Sequence, residues 1–354
     1  RRWQLALKLK PEDRPRIGFL SAYVPEELFH AAGFTPVFLF STPEDRGLAR
    51  AHLPGFTCWV TGSALDQALA GELDDLAGMA LAQTCDTMQG LTDLWQRNVP
   101  QIPLFHFAMP TRLDGRATRD YLLAELHSLR ERVEALPGRA VSDDDLRSSI
   151  ALYNRTRALV RDLYDRAAAL DPRETYAIVR DAFRQPKEAF AEEAGNRMRD
   201  ASPLLPLSAY PALFLVGPSL ADPILFDVIA EAGARVVGDL FDLGERYFAV
   251  DASEAGDPLV ALADRLLGLV PTPTKHHSRR SRAEFLLSSV KARGARGVVF
   301  ARQKFCDPHG FDYAHLVRAL DGAGVPHLLV ELEQASQAGQ LRTRVEAFVE
   351  MLHA

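Results

Sequence analysis

Hydrophobic positions along the chain fall into two textures. Short unbroken apolar runs bounded by Gly, Pro or small residues read as buried strands. Runs with an apolar residue every third or fourth position read as amphipathic helices. Arg16-Ile17-Gly18-Phe19-Leu20-Ser21 is the first strand. Val24-Pro25-Glu26-Glu27-Leu28 then opens a helix, since Pro fits its first turn and acidic residues suit the positive end of its dipole. Ala31-Ala32-Gly33 ends it, and Pro36-Val37-Phe38-Leu39-Phe40 is a second strand. A strand, a helix and a strand in about 25 residues make a βαβ unit and imply a parallel sheet.

The pattern repeats. Gly78–Gln83 is a strand ending at Thr84-Cys85-Asp86, and Ile102–Phe107 is another ending at Met109-Pro110. Residues 15–115 therefore predict an N-terminal α/β domain. From Arg116 to about Arg199 the strand runs vanish, and Tyr121, Leu122, Leu126, Leu129 and Val133 recur at helical spacing. Ser142 followed by Asp143-Asp144-Asp145 reads as a helix start. Residues 116–205 are thus expected to be a helical segment. Residues 206–354 return to α/β texture, with strands at Ala212–Gly217, Arg235–Gly238, Gly297–Phe300 and Leu328–Glu331 and a last helix over Gln340–Leu352. The expected fold class is α/β, with two parallel-sheet domains and helices between them.

Composition narrows the function. A chain of 354 residues has room for two domains. A net charge of −6 lacks the basic footprint of a nucleic-acid binder. The most apolar stretch, Pro203–Phe226, is broken by Pro206, Pro211, Pro218, Asp222 and Pro223, so no membrane span is expected. Arg1–Lys8 lacks the apolar core of a signal peptide, and the expected compartment is a reducing cytoplasm. No G-x-G-x-x-G follows a strand, and there is no G-x-x-x-x-G-K-[ST], H-E-x-x-H or G-x-S-x-G.

The three cysteines hold the most chemistry. Three is an odd number for a disulfide framework. Cys85 and Cys306 lie at strand ends in opposite halves, where open α/β sheets bind ligands. Cys58 lies in Gly55-Phe56-Thr57-Cys58-Trp59. Free cysteines are commonly small buried hydrophobes, and no C-x-x-C anchors a metal site here. Spacing alone leaves packing and metal binding both open.

The flanking segments add a resemblance. Ser21-Ala22-Tyr23-Val24-Pro25-Glu26-Glu27-Leu28 with Ala31-Ala32-Gly33, Thr84-Cys85-Asp86, Lys304-Phe305-Cys306-Asp307-Pro308 with Phe311-Asp312-Tyr313, and Gly339-Gln340-Leu341-Arg342-Thr343-Arg344 with Ala347-Phe348 resemble the family of 2-hydroxyacyl-CoA dehydratase and benzoyl-CoA reductase subunits. The resemblance spans nearly the whole chain. It implies two flavodoxin-like domains with helical additions and a [4Fe-4S] cluster between them. Cys58, Cys85 and Cys306 match the family's cluster ligands one by one. It further implies a related second subunit in a heterodimer, a separate ATP-dependent iron–sulfur activator and an acyl-CoA thioester substrate. The implied reaction is one-electron reduction of the thioester to a ketyl followed by loss of water. The alternatives are a subunit of a benzoyl-CoA reductase, or an electron-transfer subunit whose partner holds the substrate. Three thiolates would leave one iron open, where a fourth is usual. Extra cysteines that many members carry near Asp239–Tyr247 and Pro271–Pro273 are missing, which argues against a double-cubane cluster.

Of five other features, four have two readings each. Ser21 either faces the cluster and thioester or supports the helix at Pro25. His309 is either a proton donor beside the cluster or a turn residue. Asp242 is either a surface carboxylate or a fourth, oxygen ligand. Glu26 and Glu27 are expected to complement a helix dipole. The basic run Lys275–Arg282 is either a solvated helix start or a site for coenzyme A phosphates.

Overall fold

The computed structural model describes residues 14–136, 140–200, 210–218, 223–333 and 338–353. The readings made on Arg1–Lys8 and on the first part of Pro203–Phe226 lie outside these residues. The first sheet is built from β1 (Arg16–Leu20), β2 (Thr35–Phe38), β3 (Leu76–Gln83) and β4 (Leu104–Ala108) in the order β2-β1-β3-β4, all parallel. Its connections carry α1 (Glu26–Ala31), α2 (Trp59–Leu69) and α3 (Asp86–Asn98). Four helices follow: α4 (Thr118–Glu134), α5 (Asp143–Arg166), α6 (Pro172–Asp181) and α7 (Lys187–Asp200). The second sheet has β5 (Ala212–Gly217), β6 (Arg235–Phe241), β7 (Gly297–Gln303) and β8 (His327–Leu332) in the order β6-β5-β7-β8, again parallel. Its helices are α8 (Ile224–Glu231), α9 (Glu245–Phe248), α10 (Pro258–Gly268), α11 (Arg282–Ala292), α12 (Asp307–Gly322) and α13 (Ala338–His353). The architecture is the expected two-sheet α/β class.

Local chemistry accounts for these elements. Every residue of β5 is buried, as a parallel strand covered on both faces requires. α5 starts at a reciprocal cap: Ser142 Oγ accepts from the Asp145 N–H, and the Asp145 carboxylate accepts from the Ser142 N–H. α10 starts at Asp257, whose carboxylate accepts from two amides, with Pro258 in the first turn.

The two halves interlock. Leu243, Tyr247, Phe248 and most of the apolar face of α10 join the core of the first sheet and its helices rather than that of the second. Glu26 and Glu27 lie in the first turn of α1, where they were expected. Both are also buried, and they make ion pairs that the sequence did not suggest. Glu27 pairs with Arg157 of α5, and Glu26 Oε2 lies 3.1 Å from Lys187 Nζ of α7. Tyr247 OH also donates to Glu26. α1 is thereby tied to the helical segment and to the second half at once. The periodicity placed these acids at a helix start, but nothing local showed what packs over it.

In each sheet the chain starts in an inner strand, steps to one edge, then crosses to the other side. A topological switch point therefore lies between β1 and β3, and another between β5 and β7. Ligands of open α/β sheets bind beyond the carboxyl ends of strands at such points.

Candidate functional site

The two switch points face one cavity of about 110 Å³. The first half contributes Ser21, Cys58, Thr61 and Cys85 to its wall; the second contributes Asp242, Cys306 and His309. The five residues that the sequence singled out for the site, Ser21, His309 and the three cysteines, are thus brought together.

Each cysteine occupies the residue just before a helix: Cys58 before α2, Cys85 before α3, Cys306 before α12. Their carbonyls accept the first helical hydrogen bonds, from the N–H groups of Gly62, Gln89 and Gly310. Three helix N-termini therefore converge on the cavity, and their free amides favour thiolate over thiol. Burial opposes this and wins in the free chain. It pushes the Cys85 thiol up to about 11, against the amides of Met88 and Thr87 and with help from Cys58. It pushes Cys306 up to about 12, with Cys58, Asp242 and Cys85 adding in the same direction against the His309 amide. The mutual influence of the three thiols is itself a mark of their convergence. A bound cation is what would release these protons.

Two non-glycine residues have positive φ among the described residues, and both border the cavity's cysteines or lining: Ser21 at 94° after β1, and Phe305 at 64° just before Cys306. Such conformations cost free energy and persist where the surroundings enforce them. Ser21 Oγ accepts from the Tyr23 N–H at 3.2 Å, which folds the strand end into a turn. Ser21 lines the cavity, and its hydroxyl also shapes the entry to α1.

Asp242, read as either a surface carboxylate or a ligand, has a side chain 27% exposed. It lines the cavity, and its Oδ1 is buried with no hydrogen-bond partner. His309 is 8% exposed, and its Nε2 is likewise unpartnered, 3.5 Å from Asp242 Oδ2. Burial pushes the Asp242 carboxyl up, but His309, Arg246 and Arg282 together hold it below the ordinary range.

The basic run is anchored at both ends, while His276, Ser278, Arg279 and Arg280 between them are exposed. Lys275 is buried, and its Nζ donates to the Met109 carbonyl at 2.8 Å, at the end of β4. His276 bridges in parallel to Arg112, and the Ser278 amide donates to Asp114. The run is a strap from the second half onto the first. Ser281 caps α11, and Arg282 is buried against Asp312 and the Pro271 carbonyl. Burial lowers Lys275 to about 8, and the Cys85 thiol raises it. A second tie crosses beside the cavity: Tyr23 OH accepts from Arg246 Nη2 at 3.3 Å and from the Thr272 amide at 3.2 Å.

Among the described residues no three of His, Cys, Asp and Glu are grouped tightly enough for one metal ion. Three cysteines and Asp242 instead share the lining of one cavity. Sulfur donors so arranged suit an iron–sulfur core better than a single hard cation.

The thiol protonation is directly testable. Thiolate reacts and thiol does not, and the thiolate fraction falls tenfold for each pH unit below the pKa. At about pH 8, Cys85 of the metal-free folded chain is expected to alkylate ~100-fold more slowly than in the unfolded chain, and Cys306 ~1000-fold more slowly. Peptide mass spectrometry reads both rates; equal rates folded and unfolded would show the thiols to be in water.

A family model described as 2-hydroxyglutaryl-CoA dehydratase, D-component, matches residues 21–352. The chain belongs to this family. Known relatives of this D-component family member align along nearly their full lengths. It is 28% identical to the lactoyl-CoA dehydratase subunit beta of Anaerotignum propionicum, over 95% of this chain and 91% of the relative. It is 26% identical to the (R)-phenyllactyl-CoA dehydratase beta subunit of Clostridium sporogenes, with the same coverage. It is 27% identical to a benzoyl-CoA reductase subunit of Thauera aromatica, over 93% of this chain and 88% of the relative. Among the described residues, no helix is long and apolar enough to cross a membrane.

Sequence reasoning passed over several parts of this site. Thr61, one turn into α2 with its Oγ1 3.5 Å from Cys58 Sγ, carried no signal. Thr272-Pro273-Thr274 lines the cavity from a segment without periodicity. Lys275 was hidden in a run whose other cations dominate its texture.

Proposed function

We propose that this chain is the iron–sulfur subunit of a radical (R)-2-hydroxyacyl-CoA dehydratase working in a reducing cytoplasm. The observation that carries the reading is the convergence of Cys58, Cys85 and Cys306, from both halves, on one cavity between facing switch points. These three residues would hold a [4Fe-4S] cluster, which supplies single-electron transfer to a CoA thioester. Three helix N-termini and the buried Lys275 favour the thiolates that such a cluster needs. Ser21 and His309 present a hydroxyl and an imidazole to the same space, positioned to hydrogen-bond an acyl group or a leaving hydroxyl. The strap and the Tyr23–Arg246–Thr272 tie hold the two cavity walls in register. Relatives named as beta subunits support a related partner chain in a heterodimer. The lack of a P-loop supports a separate ATP-dependent activator as electron source. A second reading, reduction of an aromatic acyl-CoA, is supported by the match to the benzoyl-CoA reductase of Thauera aromatica, as near as those to the dehydratases.

The test is anaerobic purification of the chain with its co-produced partner. About four irons and four sulfides per chain are expected, with electron-driven loss of water from a 2-hydroxyacyl-CoA. An iron-free, well-folded chain would sink the reading. Consumption of an aromatic acyl-CoA in place of a hydroxyacyl-CoA would select the second one.

A further inference from the structure

We propose that the Asp242 carboxylate ligates the iron that the three cysteines leave without a thiolate. The inference rests on the iron–sulfur reading above and adds to it a fourth, oxygen donor from the same chain.

The cavity wall makes the case. Asp242 Oδ1 is buried and has no hydrogen-bond partner, which is costly for an anionic oxygen unless something absent from the free chain satisfies it. Its other oxygen faces His309 Nε2 at 3.5 Å, too far for a good hydrogen bond, and that nitrogen is also buried and unpartnered. Asp242 and His309 belong to the same cavity wall as the three cysteines, Cys306 among them.

The backbone holds Asp242 in this place. Asp239 Oδ1 accepts from the amides of Phe241 and Glu245, closing the turn after β6. Gly244 lies against that carboxylate so closely that an added Cβ would overlap Asp239 Oδ1. Arg246 Nη1 donates to the Asp242 carbonyl at 3.1 Å. A merely solvent-seeking carboxylate needs no such fixing. Arg246 and Arg282 act on it electrostatically, offsetting charge that three thiolates and a carboxylate would place together. Ligation closes the position that three thiolates leave open, and His309 Nε2 can then donate to the free carboxylate oxygen.

Mössbauer spectra of the full chain with its partner, enriched in the iron isotope and purified anaerobically, test this. In the wild type one quarter of the iron is expected to show the larger isomer shift of an oxygen-ligated site. Asp242→Asn should keep the iron content and move that quarter of the spectrum. Asp242→Cys should make all four irons alike. Because a variant can fail to fold, the wild type is also labelled with aspartate enriched in the magnetic carbon isotope. Electron–nuclear double resonance of its reduced cluster should then show coupling to carboxylate carbon. An unchanged spectrum in iron-loaded Asp242→Asn, or no carbon coupling in the wild type, overturns the proposal while leaving the cluster reading intact. A wild type without iron overturns the cluster reading itself.

Discussion

Cys85→Ala and Cys306→Ala are each expected to drop the iron content from about four per chain to below about one, and to abolish turnover. Two cysteines would then remain of the three that line the cavity. The fold should survive. Both cysteines are partly exposed, and neither side chain caps its helix by a hydrogen bond. The loss of one sulfur at a cavity wall is worth about 1 kcal/mol, far below a global stability of about 5–15 kcal/mol. Iron and sulfide analysis beside circular dichroism separates loss of the site from loss of the fold. Retention of full iron in either variant would rule that cysteine out as a ligand.

Arg157→Leu is expected to cost about 3–5 kcal/mol, because it leaves the buried Glu27 carboxylate without its partner. The double variant Glu27→Gln, Arg157→Leu should recover much of that loss, since it is the unpaired charge that is costly. Urea unfolding of the three proteins measures both statements. The pH dependence has a fixed sign. Burial pushes the Glu27 carboxyl up, but Arg157 and Arg265 outweigh it, and the folded pKa lies below the ordinary 4.5. The pair's contribution is therefore fully present above that value and is lost as pH falls through the folded one. A wild type whose stability is flat from pH 7 down through the acid range would contradict the pairing.

Much of the frame was legible because parallel strands buried on both faces leave unbroken apolar runs. Ala212–Gly217 is such a run, and its bounds agree with β5. The Ser142 start of α5 was legible because a capping residue and its acidic partner are local in sequence. The cavity was legible through Ser21, His309 and the cysteines, two of which, Cys85 and Cys306, lie at strand ends and so reflect topology. The partners of Glu26, Glu27, Asp242 and Lys275 were not legible for one shared reason. Their surroundings come from chain distant in sequence, from the opposite half or the helical segment. A charged residue looks the same in sequence whether it meets water or a buried counter-charge.

The passage of Leu243–Leu269 into the first core bears on how the protein is made. α10 packs on α4 and α5, so part of the apolar surface of those helices stays bare until α10 has been synthesised. The first α/β unit is therefore not a free-standing product of translation. Its hydrophobic centre closes only after most of the chain has left the ribosome, and the nascent helices need shelter in the interval. A fragment ending near residue 205 is expected to aggregate even though it contains the entire first sheet.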